Sequence, residues 1–485
     1  MSYFTDLALC CIDGEWRPGS GSWDIIDFNP YNGEKLASIT VATADEVDLA
    51  YRAAERAQRP WAGTNPYARR RVLERAIRVI EDSEQEITEA IIAELGGTRT
   101  KAAFELELAK EFLRESIQLA LRASGRIAPS PVDGKENRVY REPVGVVGVV
   151  SPFNFPFLLS LKSVAPALAL GNAVVLKPHQ NTPVCGGTLV AKIFEDAGLP
   201  AGLLNVVVTD IAEIGDALIE HPVPKVISFT GSDKVGRHVA TVAAGQFKRA
   251  VLELGGNSAL LVLDDADLDY AVDAAVFSRF IHQGQVCMAA NRIVVDRSVA
   301  EAFTEKFVAK VASLRTGDPA DPATHIGPLI NAAQAENVSA VVEQLVAAGA
   351  TALLRGGVEG NVVSPSVLTG IPEDAAALRE EIFGPVALLI PVDGEDEAVR
   401  VANDTPYGLS GAVHCADVER GVRVARRIES GMVHVNDGTV ADEPIVPFGG
   451  EKRSGLGRLN GEEMVEAFTT TKWISVQHGR SVFPF

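Results

Sequence analysis

Cysteine is scarce in this sequence: Cys10, Cys11, Cys185, Cys287 and Cys415 are the five in 485 residues. Five irregularly spaced thiols make no disulfide framework, and no CxxC or Cys/His cluster has zinc-ligand spacing. A reducing cytoplasm is the expected compartment, and no metal is expected. Positive charge is also short, with 45 Lys and Arg against 64 Asp and Glu and a net charge of −19. The field of such a chain repels nucleic acid phosphates and anionic membrane surfaces, so neither is an expected partner. No uninterrupted apolar run can span a bilayer; the closest, Val144 to Leu161, is broken by Pro152, Asn154 and Pro156 and is followed by Lys162. The amino terminus has no basic segment before its apolar run and meets Asp6 early, so it does not read as a secretory signal.

What the chain does have is alternation. Its length exceeds what one hydrophobic core organises, so two or more domains are expected. The opening part reads as helical: Thr43 to Glu46 is a capping box, Pro60 is expected to stop that helix, and Val72, Leu73, Ala76, Ile77 and Ile80 share one face of the next. Helices continue to about Ala123 with an interruption at Gly96 and Gly97. From Ile127 to Arg141 the chain is polar and extended, with Asp133-Gly134 as a hairpin signal; it reads either as an oligomer contact or as a ribbon folded on its own chain. Short β-rich runs at Val146–Val150, Ala173–Leu176, Asn205–Val208, Lys225–Phe229 and Ala250–Leu254 then alternate with helical segments, one of them Ile211 to Glu220. This pattern predicts a doubly wound parallel sheet with a nucleotide at the carboxyl ends of its strands. A second strand and helix alternation starts at Ala259, and the tail from Thr469 to Val476 reads as a strand.

Several strand ends carry chemistry. Phe229 to Gly236 (FTGSDKVG) closes a strand and opens a helix, whose amino terminus favours a pyrophosphate, although the spacing is not GxGxxG. Lys177 ends another strand, where it can reach a ribose hydroxyl or a phosphate. In Leu252 to Asn257 (LELGGN), Glu253 ends the fifth strand; in an apolar setting it can act as a base toward water. Asn154, in Ser151 to Pro156 (SPFNFP), offers an amide N–H to a developing oxyanion. Cys287 follows the turn Gly284-Gln285-Val286; a buried inert thiol is the usual role of such a residue. A serine triad has no GxSxG elbow to stand on, and the eight histidines show no metal-ligand pairing.

Taken in order, SPFNFP, LKP, FTGSDKVG, LELGGN, GQVC, EEIFGP and PFGG resemble the NAD(P)-dependent aldehyde dehydrogenase superfamily across essentially the whole chain. That resemblance implies Cys287 as nucleophile, Glu253 as the base that activates water, and Asn154 with the Cys287 backbone N–H as oxyanion hole. Lys177 is implied for the adenosine ribose and is counted with the catalytic set. Ser232 and the turn containing Phe229, Thr230, Gly231 and Val235 are implied for the pyrophosphate, Gly215 beside the adenine, Glu381 for the nicotinamide ribose and Phe383 against its ring. Ser151, Pro152, Phe153, Gln180 and Gly255 complete the implied cofactor set. Glu253 speaks against the coenzyme-A-acylating branch, whose thioester is cleaved by a thiol.

Two positions depart from the pattern. Gln180 stands where many members carry a glutamate that repels a ribose 2′-phosphate, so NAD with tolerated NADP is expected. Leu459 stands where some relatives carry a second glutamate, so no relay runs through that side chain. Phe155, Leu158, Leu159, Val286, Met288 and Phe448 map to the family's substrate tunnel and suit an uncharged aromatic or medium-chain aldehyde, with Lys162 and Asp442 leaving room for polar ring substituents. The segments HQGQVCMA, Asn436 to Val440 and Phe483-Pro484-Phe485 look most like the benzaldehyde and vanillin dehydrogenase group.

A succinate-semialdehyde or aliphatic-aldehyde enzyme is the main alternative; the former needs a basic group in the tunnel, for which Arg279 or Lys162 could serve. A catalytically silent protein on the same fold is the alternative from another class, and intact Cys287, Glu253 and Asn154 speak against it. The implied architecture is α/β. A Rossmann-type cofactor domain takes residues 1–124 and 142–254, with 446–468 returning to it. A second α/β catalytic domain takes 255–445, and a small β-ribbon of 125–141 and 469–485 supports a homodimer or homotetramer.

Overall fold

The computed structural model describes residues 3–485. Two parallel sheets dominate it. The first has eight strands in the spatial order Glu15–Arg17, Cys10–Ile12, Leu204–Val206, Ala173–Lys177, Val146–Val150, Val226–Thr230, Arg249–Glu253 and Gly455–Leu456. Its five central strands run parallel, and their valine-rich stretches are buried as a doubly wound sheet requires. The chain leaves Val146–Val150 in one direction and returns past it to Val226–Thr230, so the winding reverses between these two neighbours. That reversal opens a crevice above their carboxyl ends.

Both edges of this sheet come from segments with no readable strand period. Cys10–Ile12 pairs antiparallel with Glu15–Arg17 and Leu204–Val206, and Gly455–Leu456 pairs antiparallel with Arg249–Glu253. Asp24–Phe28 and Lys35–Thr40 form a separate hairpin, so the opening part is not only helical.

Ala44–Ala62 begins where the capping box places it: the Glu46 carboxylate accepts the Thr43 backbone N–H at 2.9 Å. Pro60 does not stop this helix, which runs on to Ala62. A proline so near the end removes one N–H, and the helix closes immediately after it. The expected helix Ile211 to Glu220 is two short ones, Ile211–Ile214 and Ala217–Glu220, broken at Gly215 with φ +53. Arg99–Arg122 packs along Pro156–Ala169, burying Leu106, Ala109 and Leu113.

The second sheet has seven strands in the order Thr351–Leu354, Ser366–Thr369, Val386–Val392, Ala290–Asp296, Ser258–Val262, Gly411–His414 and His434–Val435. Only the first pair is antiparallel. A third, three-stranded antiparallel ribbon sets Lys135–Pro143 between Thr469–Gln477 and Arg126–Ala128. It leaves Ile127, Tyr140, Trp473 and Ile474 exposed. No helix among the described residues is long and apolar enough to cross a membrane.

Candidate active site

The helix Leu268–Phe280 stops one turn short of the nucleophile loop, and the chain then adopts left-handed backbone at three successive residues, His282 (φ +50), Gln283 (φ +57) and Gly284 (φ +73). Each non-glycine there costs about 1–2 kcal/mol, so the surroundings must impose it. Gln283 does so by donating from Nε2 to the carbonyls of Pro328 (2.8 Å) and Gly96 (3.1 Å), and Gln285 accepts the Ile330 N–H at 3.0 Å. At Gly284 a β-carbon would lie 2.5 Å from the Gly384 carbonyl oxygen, so only glycine fits. This bend carries the chain to Cys287, which is partly exposed.

Glu253 ends its strand beside that loop. Two residues on, a β-carbon at Gly255 would lie 2.5 Å from Glu381, and one at Gly256 would lie 2.3 Å from the Cys287 carbonyl oxygen. The paired glycines therefore let three loops close on one another. Both Glu253 carboxylate oxygens are buried without a hydrogen-bond partner. Desolvation pushes the Glu253 carboxyl up to about 8, only partly offset by Lys162. Burial likewise pushes the Cys287 thiol up to about 12, aided by the negative fields of Glu381 and Glu253. Asn154 is held by its Nδ2 donating to the Gln285 carbonyl at 3.0 Å, which leaves its second amide hydrogen free.

A cleft of about 480 Å³ opens between the strand ends, and Cys287, Glu253 and Asn154 line it. Every residue assigned from the sequence to the cofactor lines the same cleft: Ser151, Pro152, Phe153, Lys177, Gln180, Gly215, Phe229, Thr230, Gly231, Ser232, Val235, Gly255, Glu381 and Phe383. The residues present fit a dinucleotide. Ser232 caps the helix Asp233–Gly245, whose amino terminus faces an anion favourably. A side chain at Gly231 would strike the Phe229 ring at 2.6 Å. Glu381 accepts the Gly256 N–H at 3.0 Å, and burial holds its carboxyl up to about 7. Phe153 and Phe383 meet edge to face at 5.8 Å across the two sheets.

The expected tunnel residues do not line this cleft. Phe155, Leu158, Val286, Met288 and Phe448 belong to one buried apolar cluster, against which Leu159 and Cys287 pack. Lys162 is 1% exposed, with Nζ 2.7 Å from Asp442, so its head is paired with a carboxylate. Arg279 is fully buried and donates to the carbonyls of Ile382 (2.8 Å) and Gly384, holding the loop that carries Glu381.

Three supports were invisible in the sequence. Glu105, salt-bridged to Lys101 in the protein interior, accepts the N–H groups of Phe157 (3.0 Å) and Leu158 (3.1 Å) and so fixes the turn that carries Asn154. It looks like any glutamate of an amphipathic helix, since its partners lie about 50 residues away. Thr439 donates to the Met288 carbonyl at 2.7 Å, and Asn291 accepts the Ile382 N–H at 2.9 Å, tying the nucleophile loop to its neighbours. His179, also in the cleft, is held neutral by burial, its pKa lowered to about 4; its place directly after Lys177-Pro178 was the one available signal.

Known proteins show the same arrangement of chain. The model of the aldehyde dehydrogenase family matches residues 16–474. A benzaldehyde dehydrogenase of Bacillus subtilis is 56% identical over 485 residues, the whole of both chains. A vanillin dehydrogenase of Corynebacterium glutamicum is 47% identical over 97% of this chain and 98% of its own. The crystal structure of an NAD-dependent benzaldehyde dehydrogenase from Corynebacterium glutamicum superposes with a TM-score of 0.90 at 44% identity, covering 98% of this chain and 97% of that one. The two wound sheets, the ribbon and the cysteine cleft are thus those of a known enzyme fold, and the chain belongs to the aldehyde dehydrogenase family.

Proposed function

We propose that the protein oxidises an aromatic aldehyde of the benzaldehyde or vanillin type to its carboxylic acid with NAD, tolerating NADP, through Cys287 and Glu253. The observation that carries this reading is a buried carboxylate without any hydrogen-bond partner, sharing one cleft with a cysteine and an oriented amide. The names of the relatives supply the substrate class. The position of Lys162 supports it too, because its ammonium is paired with Asp442 and is not a free cation for the carboxylate of a semialdehyde.

The chemistry follows from the protonation states. A Cys287 thiol with a pKa near 12 is protonated at neutral pH, so attack on the aldehyde carbon requires a base to take its proton. Glu253, poised near 8, serves as that base. As the C–S bond forms, the aldehyde oxygen gains charge and is met by the free amide hydrogen of Asn154 and the Cys287 backbone N–H. Lys177, Ser232 and Glu381 would hold the dinucleotide, which when bound supplies the acceptor for the hydride leaving the substrate carbon. Cys287 then carries the acyl group as a thioester; Glu253 passes the proton it took from the thiol to solvent, and the regenerated carboxylate deprotonates the water that attacks the thioester carbon, so that the acid leaves and the Cys287 thiolate takes the proton back.

We assign residues 1–124, 142–254 and 446–468 to the cofactor domain, 255–445 to the catalytic domain, and 125–141 with 469–485 to subunit assembly as a dimer or tetramer. The exposed Tyr140, Trp473 and Ile474 on the ribbon support the last assignment. Steady-state rates over benzaldehyde, vanillin, hexanal and succinate semialdehyde test the function. The two aromatic aldehydes should lead in kcat/KM, and a wide lead for succinate semialdehyde would overturn the substrate class.

A further inference from the structure

Lys162 projects from the helix Pro156–Ala169 into the interior, and its Nζ is enclosed on three sides. It lies 2.7 Å from Asp442, 3.4 Å from the centre of the Phe448 ring and 5.0 Å from that of Phe112. The other oxygen of Asp442 accepts from Asn460 at 2.7 Å. Two aromatic faces keep water from this ion pair, so its field is far less screened than that of a surface pair. The next residue after Phe448 touches the base: a β-carbon on Gly449 would lie 3.1 Å from Glu253 Oε1. Successive residues of the step Phe448-Gly449 therefore touch the ion pair and Glu253.

A carboxylate with no hydrogen-bond partner is governed by desolvation and by the charges around it. The charges that act on Glu253 are Lys162 from its helix and Asp442 and Arg458 from the carboxyl-terminal segment; Cys287, in the nucleophile loop, feels both Glu253 and Glu381. Arg458 is paired with Glu451 at 2.5 Å and also donates to the carbonyls of Gly450 and Gly457. Lys162 is the largest influence favouring the ionised base, and Asp442 opposes it.

We propose that the Lys162–Asp442 pair is a positioning device that sets the charge state of Glu253, and with it the rate of thioester hydrolysis, without touching the substrate. This rests on Glu253 being the base that activates water. With the dinucleotide left out, 4-nitrophenyl acetate acylates Cys287 in a burst and the later release of nitrophenolate follows hydrolysis of the acyl-enzyme. The pH midpoint of that later rate reads Glu253, and the burst amplitude counts folded, reactive Cys287 in each variant.

Lys162→Met should move the midpoint up by about one pH unit, Asp442→Asn should move it down, and the double variant, which removes both charges, should fall between them. The double variant also covers the case in which a single buried charge prevents folding. Singles that shift in the same direction, or a midpoint the same in all four proteins, would overturn the proposal. Glu253→Gln separates the two levels: if it keeps the wild-type midpoint, the assignment of the base fails and the proposal with it. If it abolishes a midpoint that the pair variants leave unmoved, the proposal alone fails.

Discussion

The side-chain amide of Asn154 donates to the backbone carbonyl of Gln285, two residues before Cys287, at 3.0 Å. One side chain from the first sheet thus anchors the nucleophile loop while keeping a second N–H to offer. Replacing Asn154 with Asp preserves the size but removes both donors. The burst of NADH should slow by about 10²–10³ in Asn154→Asp, the range for loss of one oxyanion donor. Rapid-mixing measurement of the burst checks this, and a burst within twofold of the parent would refute the role.

Cys287→Ala should abolish oxidation altogether. Glu253→Gln should release a first equivalent of NADH when the proton of Cys287 is removed by solvent base at high pH, then turn over far more slowly than the parent. Active-site titration followed by steady-state assay distinguishes the two phases. A steady-state rate equal to the parent's would show that some other group activates water.

Glu253 also links stability to pH. Its folded-state pKa is raised from the ordinary 4.5 to about 8. Between these values the unfolded chain ionises freely while the folded one keeps its proton, so the group's contribution falls as pH rises through the window and is flat above it. Glu253→Gln is free of that loss. Its Tm advantage over the parent should grow from pH 5 to pH 8 and then level off, and a difference independent of pH would contradict the buried, partner-free setting.

Lys101 and Glu105 are both fully buried. Glu105→Gln leaves the Lys101 ammonium unpaired, at a cost of about 3–5 kcal/mol. It also weakens the acceptor for the N–H groups of Phe157 and Leu158. Urea denaturation should show the loss of stability, and Lys101→Met combined with Glu105→Gln should recover part of it. Full stability in Glu105→Gln would mean that the pair contributes nothing to the turn beneath Asn154.

Gln180 is exposed at the cleft. Gln180→Glu places a charge where a ribose 2′-phosphate would be repelled, and should lower kcat/KM for NADP at least about tenfold more than for NAD, a difference of about 1.4 kcal/mol. Equal losses with both cofactors would place the adenosine ribose elsewhere.

The central strands were legible because continuous valine runs such as Val146–Val150 mark strands buried on both faces. Cys10–Ile12 and Gly455–Leu456 were not: two or three residues carry no period, and they become strands only by borrowing hydrogen bonds from Val206 and Leu252. The catalytic and cofactor residues gather at one cleft, yet the geometry that presents them was hidden. Nothing in His282-Gln283 signals left-handed backbone, which is imposed by carbonyls at Gly96 and Pro328. The Lys162–Asp442 pair was equally opaque, since its members lie 280 residues apart.

The short antiparallel strand Gly455–Leu456, which covers the outer edge beside Glu253, has a consequence for biosynthesis. During translation the strand bearing the base is made roughly 200 residues before its covering strand, and so is the chain that supplies Phe448 and Gly449. A nascent chain that already contains Cys287 and Glu253 therefore lacks these two contacts of the base. Enclosure of the base thus depends on chain made well after Cys287 and Glu253 themselves, and a chain truncated before Phe448 lacks both of these covering segments.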